Sequence, residues 1–296
     1  MDTSSPIFTV IIPTFKRDAD LNKCLLKLLP ENQTPFVSSL KHCSSKYEVI
    51  VSDDASSPLT KKLVSEHFSW VKYTQGPGLG PAANRNNGAK HARGEWLVFT
   101  DDDCLVCDNW LHRFNAAIQA NPSVKAFEGS IHPIGNLDHD LWECPVNYEG
   151  GHFWSANIAI TRSLFKKIGG FDEAYPYAAH EDQDLKIKIE KFDYIHFVQE
   201  AIVLHPVRVI SFWQSVLKIV PISYSWGYHL AKNGNYLGIL NGLDVYLQSF
   251  SFNLFSAISN LKKCHFKQAF VKSIYLLVGS HLTFFSYFFW RKKMCA

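Results

Sequence analysis

Apolar positions over the first two thirds of the chain gather in short unbroken runs. The segments between those runs space their apolar residues at helical intervals. "FTVIIPT" (8–14) reads as a buried strand ending at Pro13, and "LNKCLLKLL" (21–29) as a helix. "YEVIVSDDAS" (47–56) is a second buried strand running into turn residues, followed by an amphipathic helix in "SPLTKKLVSEHF" (57–68). "VKYTQG" (71–76) reads as a short strand, "PAANRNNGAKHA" (81–92) as a helix stopped before Gly94, and "EWLVFTDDD" (95–103) as a further buried strand. Strands apolar on both faces and separated by helices predict an α/β fold, a parallel sheet covered by helices on both sides.

The pattern changes from Ala126. "SANIAITRSLFKKIGGFDE" (155–173) predicts a strand and then a short helix that Ser163 would cap and Gly169-Gly170 would stop. "HEDQDLKIKIEKF" (180–192) reads as a helix with its acids in the first turn, and "AIVLHPVRV" (201–209) as a strand closed by Pro206. Beyond Arg208 the chain turns to aromatic-rich helical segments. A boundary is expected there, giving segments 1–207 and 208–296.

Composition narrows the classes. Of 296 residues, 47% are hydrophobic and 19% charged, which supplies a substantial core and argues against global disorder. A net charge of +3 with dispersed basic residues excludes nucleic acid as the expected partner. The first apolar stretch begins at Ile7 and breaks at Pro13 without a basic leader, so no secretory signal is expected. Seven irregularly spaced cysteines point to a reducing cytoplasm rather than a disulfide framework.

In open α/β sheets ligands bind beyond the carboxyl ends of the strands. Pro13-Thr14, Asp53-Asp54 and Asp101-Asp102-Asp103 each fall at such an end. Adjacent carboxylates repel unless a cation neutralises them, and their oxygens suit magnesium or manganese. A solvated acidic turn would explain a lone run as well; the preceding strand and the second acid pair favour the cation. Glu181, Asp182 and Asp184 crowd a helix start, where the dipole welcomes negative charge, so they read either as ordinary decoration or as a source of a general base. His205, closing an apolar strand, is either structural or a ligand completing a carboxylate site. Cys104 and Cys107 form a Cys-x-x-Cys pair, but zinc needs four ligands, and Cys43 and Cys144 lack supporting spacing. Both cysteines are expected to be bystanders.

"VIIPTFKR", "YEVIVSDDAS", "GPAANRNNGAKHARGEWLVFTDDD", "GGFDE" and "HEDQDL" occur in the order and approximate spacing of glycosyltransferase family 2, which this chain resembles over about residues 8 to 207. The resemblance implies the GT-A fold, with a nucleotide-binding half over about 1–105 and an acceptor-binding half over about 106–207. It implies that Pro13, Thr14, Arg17, Asp53, Asp54, Arg85, Asp101 and Asp102 bind a nucleotide-diphosphate sugar. Asp101 and Asp103 match the family's Asp-x-Asp motif, Asp103 being the stronger ligand of Mn2+ or Mg2+, and His205 is similar to the histidine some relatives add to the metal. Asp182 matches the catalytic base, while Gly151 (with Gly150), Trp154 and Glu181 would border the acceptor. The implied reaction is a single inverting displacement onto a glycan or lipid-linked hydroxyl. The Gln-x-x-Arg-Trp signature of processive synthases is absent, which favours one sugar per encounter. "ENQTPFVSSLKHCSSK" (31–46) looks like an insertion near the nucleotide rim.

"SIYLLVGSHLTFFSYFFW" (273–290) approaches the roughly 20 apolar residues that span a bilayer. A single span would carry "RKKMCA" away from the cytoplasm, and a hairpin would carry "KKCHFK" there, both against the positive-inside tendency. Helices lying on the cytoplasmic membrane face satisfy both constraints. A subdomain packed on the sheet, or an oligomer interface, is an equal reading. Two competing functions remain: a sugar nucleotidyltransferase-like enzyme, although "PTFKRDADLN" lacks the glycine-rich loop such enzymes carry, and a catalytically silent membrane-associated binding module.

Overall fold

The computed structural model describes residues 5–33, 46–137, 141–234, 242–262 and 266–295. Most of the expected insertion, from 34 to 45 and including Cys43, lies outside the described residues. The elements run β1 (Phe8–Thr14), α1 (Asp18–Lys27), a 3-10 turn (Pro30–Gln33), β2 (Tyr47–Asp53), α2 (Pro58–His67), β3 (Lys72–Gln75), α3 (Pro81–Lys90), β4 (Trp96–Phe99), β5 (Leu105–Val106), α4 (Trp110–Ala120), β6 (Ala126–Ile134), β7 (Trp142–Glu143) and β8 (Ile158–Thr161). They continue with α5 (Arg162–Lys167), α6 (Glu181–Glu190), β9 (Ile195–Pro206), β10 (Arg208–Val209), α7 (Phe212–Leu217), α8 (Ile219–Asn233), α9 (Gly242–Lys262), α10 (Phe266–Ile274), a π turn (Tyr275–Gly279) and α11 (Ser280–Cys295).

The chain divides into two compact units. The first comprises Met1–Ile134, Cys144–Glu173 and Leu185–Pro206. It holds an eight-stranded sheet in the order β3-β2-β1-β4-β8-β6-β9-β5. β3, β2, β1 and β4 are parallel, as are β6 and β9, while β8 runs antiparallel between β4 and β6. Alternation along the strands sends side chains to two cores. Val10, Ile12, Val49 and Val51 meet Leu25 of α1 and Phe114 of α4 on one side. Ile11, Ile50, Leu97 and Phe99 meet Phe165 and Phe171 on the other. The chain leaves β1 toward β2 and β3 and returns to β4 on β1's far side, so the carboxyl ends of β1 and β4 flank the point where strand order reverses.

Three local expectations are corrected. β1 continues one residue past Pro13: the last rung toward β4 is Thr100 N to Ile11 O at 3.3 Å, so the proline nitrogen faces that side beyond the ladder and forfeits no bond. Helix α5 is capped by Thr161, whose Oγ1 accepts from Leu164 N at 3.3 Å, because the extended end of β8 places Thr161 at the cap and Ser163 inside the helix. The strand expected at 201–209 starts at Ile195, since β6 offers it a parallel partner along most of its length, with a bulge at Gly129/Ser130. Arg208–Val209 belongs instead to a separate antiparallel pair with β7.

The second unit comprises Gly135–Glu143, Ala174–Asp184 and Val207–Ala296. Among the described residues Leu230, Val245 and Tyr287 form one core cluster with Trp226 and Ala231 against them, and Ile219, Tyr228, Ala257, Ala269 and Val271 are buried as well. Helices α8 and α11 approach closely at Gly227, where a Cβ would lie 2.5 Å from Ser286 Cβ.

Candidate active site

The buried run of β4 delivers Asp101, Asp102 and Asp103 to the carboxyl edge of the sheet, and a turn from Cys104 N to Asp101 O (3.1 Å) fixes them there. Each aspartate meets different partners. Asp101 Oδ1 pairs with Arg85 Nη2 at 2.8 Å; that guanidinium is almost wholly buried and stacks over the Phe171 ring. Asp102 accepts from Thr14 Oγ1 at 2.7 Å and from Arg17 Nη1 at 3.1 Å. Burial pushes the Asp102 carboxyl up to about 6, against the opposing pull of Thr14 and Arg17. Arg17 Nη1 also reaches Asp103 Oδ2 at 3.1 Å. Thr14, Arg17, Arg85, Asp101, Asp102, Asp103 and His205 thus converge from four distant stretches of sequence.

His205 lies near the end of β9, buried, with Nε2 3.6 Å from Asp103 Oδ1. Its Nδ1 lies 3.0 Å from Pro206 O, a carbonyl that can only accept; a proton held there would leave Nε2, the nitrogen toward Asp103, as the one able to ligate a cation. The 3.6 Å separation is too long for a hydrogen bond. Two ligands about 2.1 Å from one cation at right angles lie about 3 Å apart, so the gap is near what a shared ion needs. Ligand atoms of Asp101, Asp103, Cys104 and His205 all lie within 4.8 Å of one another. Carboxylates with one imidazole fit a hard or borderline divalent cation.

The two cysteines of the Cys-x-x-Cys pair part company. Cys104 is fully buried, its thiol pushed well above its ordinary range by burial and by Asp101 and Asp103, so it adjoins the cluster as a neutral group. Cys107, across the two residues of β5, is only half-buried and outside the cluster. Cys144 lies beside His205, its Sγ 3.7 Å from Nδ1. Cys107→Ser is expected to leave turnover unchanged. Cys104→Ser should retain turnover but lose about 1–2 kcal/mol of stability, because a hydroxyl replaces a thiol in an apolar core; thermal unfolding with an activity assay on both variants checks this.

The other predicted residues are held in nearby loops. Asp53 is fully buried, and its oxygens accept from Ala55 N, Ser57 N and the Tyr73 hydroxyl at 3.0, 2.7 and 3.1 Å. Asp54 accepts from Gly78 N and Gly80 N at 2.7 and 2.8 Å and ties the 76–80 loop to the end of β2. Gly151 and Trp154 lie on a loop organised by Glu128, a buried carboxylate in β6 that sequence reasoning did not single out. Its oxygens accept from Gly151 N, from Phe153 N at 2.7 Å and from Asn147 Nδ2 at 3.2 Å. Its sequence signal is an acid that directly follows the buried apolar pair Ala126-Phe127 within a strand. Trp154 is half-buried and stacks on His152 with centroids 4.3 Å apart.

Glu181 and Asp182 open α6 on a segment of the second unit; Glu181 is buried, and Asp182 Oδ1 accepts from Gln183 N at 2.8 Å. The same turn is anchored by Asp184, fully buried, which receives Lys232 Nζ at 2.8 Å and Asn233 Nδ2 at 3.0 Å. Just before it His180 takes φ +72° and packs its ring on Trp226 and His229, and His229 Nδ1 meets the Tyr175 hydroxyl at 2.7 Å. Burial lowers His180 to about 3 and His229 to about 4. The folded unit therefore keeps both rings neutral, whereas the unfolded chain takes up protons below about pH 6.5. Stability is expected to be fully present above pH 6.5 and to fall as pH drops toward 4, at up to about 1.4 kcal/mol per pH unit for each ring. Urea titrations across that range check it, and His229→Gln should flatten the slope.

The family model "Glycosyl transferase family 2" matches residues 9–169, and the chain belongs to that family. Among curated proteins it is similar to Glycosyltransferase AglE of Haloferax volcanii, 27% identical over 189 residues, covering 61% of this chain and 59% of that protein. It is also similar to the GalNAc(5)-diNAcBac-PP-undecaprenol beta-1,3-glucosyltransferase of Campylobacter jejuni, 35% identical over 150 residues, covering 49% and 40%. The chain spans about half the length of the curated relatives it matches. Among solved structures, the mannosyltransferase PcManGT from Pyrobaculum calidifontis with GDP-Man and Mn2+ aligns with a TM-score of 0.55 at 17% identity, covering 93% of this chain and 88% of that one. S. aureus TarS 1-349 with UDP aligns at 0.54 and 18% identity, covering 97% and 91%. These likenesses establish the GT-A fold.

Proposed function

We propose that the protein transfers a single sugar from a nucleotide-diphosphate sugar to a hydroxyl of a glycan or lipid-linked glycan, with inversion at the anomeric carbon. The observation that carries this reading is the convergence of Asp101, Asp103 and His205 at the switch point of the sheet, with Arg85 and Arg17 beside them. Asp101, Asp103 and His205 would hold Mn2+ or Mg2+, which when bound offsets charge on the departing diphosphate. Thr14 and Asp102 hold Arg17, and Arg17 and Arg85 brace Asp103 and Asp101 and supply positive charge to the phosphate side; Pro13, Asp53 and Asp54 shape the nucleoside end. Asp182 accepts the proton of the attacking hydroxyl, with Glu181, Gly151 and Trp154 on the acceptor side. Positioning and electrostatics carry most of the rate.

The lipid-linked acceptor is supported by the diphospho-undecaprenol in the name of the Campylobacter relative. In this reading residues 1–207 form the catalytic domain in the cytoplasm, and 208–296 touch the membrane peripherally. A donor panel assayed for nucleotide-diphosphate release, with manganese and with EDTA, tests the reaction. Release with at least one donor, suppressed by EDTA, is expected. Folded protein that neither binds nor turns over any nucleotide sugar would overturn it.

A further inference from the structure

Helices α9 and α11 bury small and polar residues beside Val245, Ala257 and Tyr287 and turn large apolar residues outward. A helix of a water-soluble protein turns its apolar stripe inward and its polar face to solvent. On α9, Ser249 is buried and Asn253, Ser256 and Asn260 are partly covered on the inner stripe, where Asn253 Nδ2 donates to Ser249 O at 2.9 Å and reaches Ser280 Oγ at 3.3 Å. Its outer face shows Phe252 and Phe255 at 70% and 74% exposure, with Leu254 and Ile258 beside them. On α11, Ser280, Thr283 and Ser286 are buried, and Ser286 Oγ donates to Tyr224 O at 2.8 Å. Phe285, Phe288 and Phe289 of the same helix are exposed. Small and polar residues between helices, with large apolar ones outward, is how helices pack in lipid, where apolar burial between them brings no gain. Water would penalise an apolar outer face of this kind.

Charge selects the occupant. Residues 207–296 carry ten lysines and arginines against a single acid, Asp244, while the remaining residues carry 20 basic and 26 acidic ones. Lys262 closes α9, Lys267 lies on the first turn of α10, and Arg291, Lys292 and Lys293 close α11, all of them exposed. Apolar faces bracketed by basic residues match the acyl and headgroup layers of an anionic leaflet. A second copy would instead bring two strongly positive surfaces together. The continuous helix Phe266–Met294 is long and apolar enough to cross a bilayer. Yet its basic residues stand at both ends, and lying in the interface lets both ends meet headgroups on one side.

We propose that α9, α10 and α11 insert their outward aromatic faces among the acyl chains of one anionic leaflet without crossing it. This goes beyond the peripheral contact proposed above, since hydrocarbon insertion resists salt and headgroup attraction does not. The test floats the full chain with phosphatidylcholine vesicles containing about 30% phosphatidylglycerol or none. Expected are flotation with anionic vesicles that persists at about 1 M NaCl, where the Debye length is about 3 Å, and quenching of tryptophan fluorescence by lipids brominated on the acyl chains. Phe252→Ser with Phe255→Ser should cut the bound fraction about tenfold and leave nucleotide binding unchanged. Three results overturn the proposal: no flotation; complete release by salt without bromine quenching, which means headgroup contact only; or a dimer in buffer that the double variant dissolves while vesicles bind nothing. Bromine quenching uses the unaltered chain, so it decides even if the variant misfolds. Donor turnover is read separately and is not at stake.

Discussion

Asp182→Asn is expected to lower transfer to acceptor by about 100- to 10,000-fold, the range a positioned general base supplies, while nucleotide-sugar binding stays near wild type. The substitution keeps the side chain's shape and the oxygen that accepts from Gln183 N, so the first turn of α6 survives. It replaces a charged carboxylate with an amide that cannot take up the acceptor's proton. Asp184, one position beyond Gln183, is bound to Lys232 and Asn233 and secures the helix start independently. Acceptor transfer and donor affinity must be measured on the same preparation. A variant that turns over near the wild-type rate would remove Asp182 from the role of base. One that loses donor binding as well would mean that the carboxylate serves the donor rather than the acceptor.

The chain's own pattern revealed the strands of the parallel half and the acids at their ends, because both are local properties. Unbroken apolar runs mark doubly covered strands, and the switch-point rule then says which polar residues share an edge. That rule puts Asp101 to Asp103 on the edge, whereas His205 is left open between a structural and a ligand reading until the family resemblance is added. What escaped depended on pairing across the fold. Cys104 and Cys107 look equivalent in sequence; only the pairing of β5 with β9 shows that one faces the carboxylates and the other does not. Glu128 has no local partner, since the amides it serves lie some twenty residues further on. The true start of β9 required a neighbour to pair with. In α11 the apolar run was plain, but which side Ser280, Thr283 and Ser286 face is settled by α8, not by periodicity.

Asp103→Asn is expected to abolish Mn2+ binding in the micromolar range and to lower kcat/KM by about 1000-fold or more, consistent with loss of several kcal/mol of charge stabilisation. One feature sets it apart from its neighbours: it is the carboxylate that lies 3.6 Å from His205 Nε2. Asp102, equally buried, spends its oxygens on Thr14 and Arg17, so Asp102→Asn should loosen Arg17 and weaken donor binding while Mn2+ binding is retained. Electron paramagnetic resonance titration of Mn2+ separates the two without reference to turnover. The ranking should be Asp103→Asn without measurable binding, His205→Gln weakened by about 10- to 100-fold, and Asp102→Asn close to wild type. If Asp102→Asn loses the ion and Asp103→Asn keeps it, the middle aspartate is the ligand, and the Arg17 bridge, not His205, marks the metal side of the cluster.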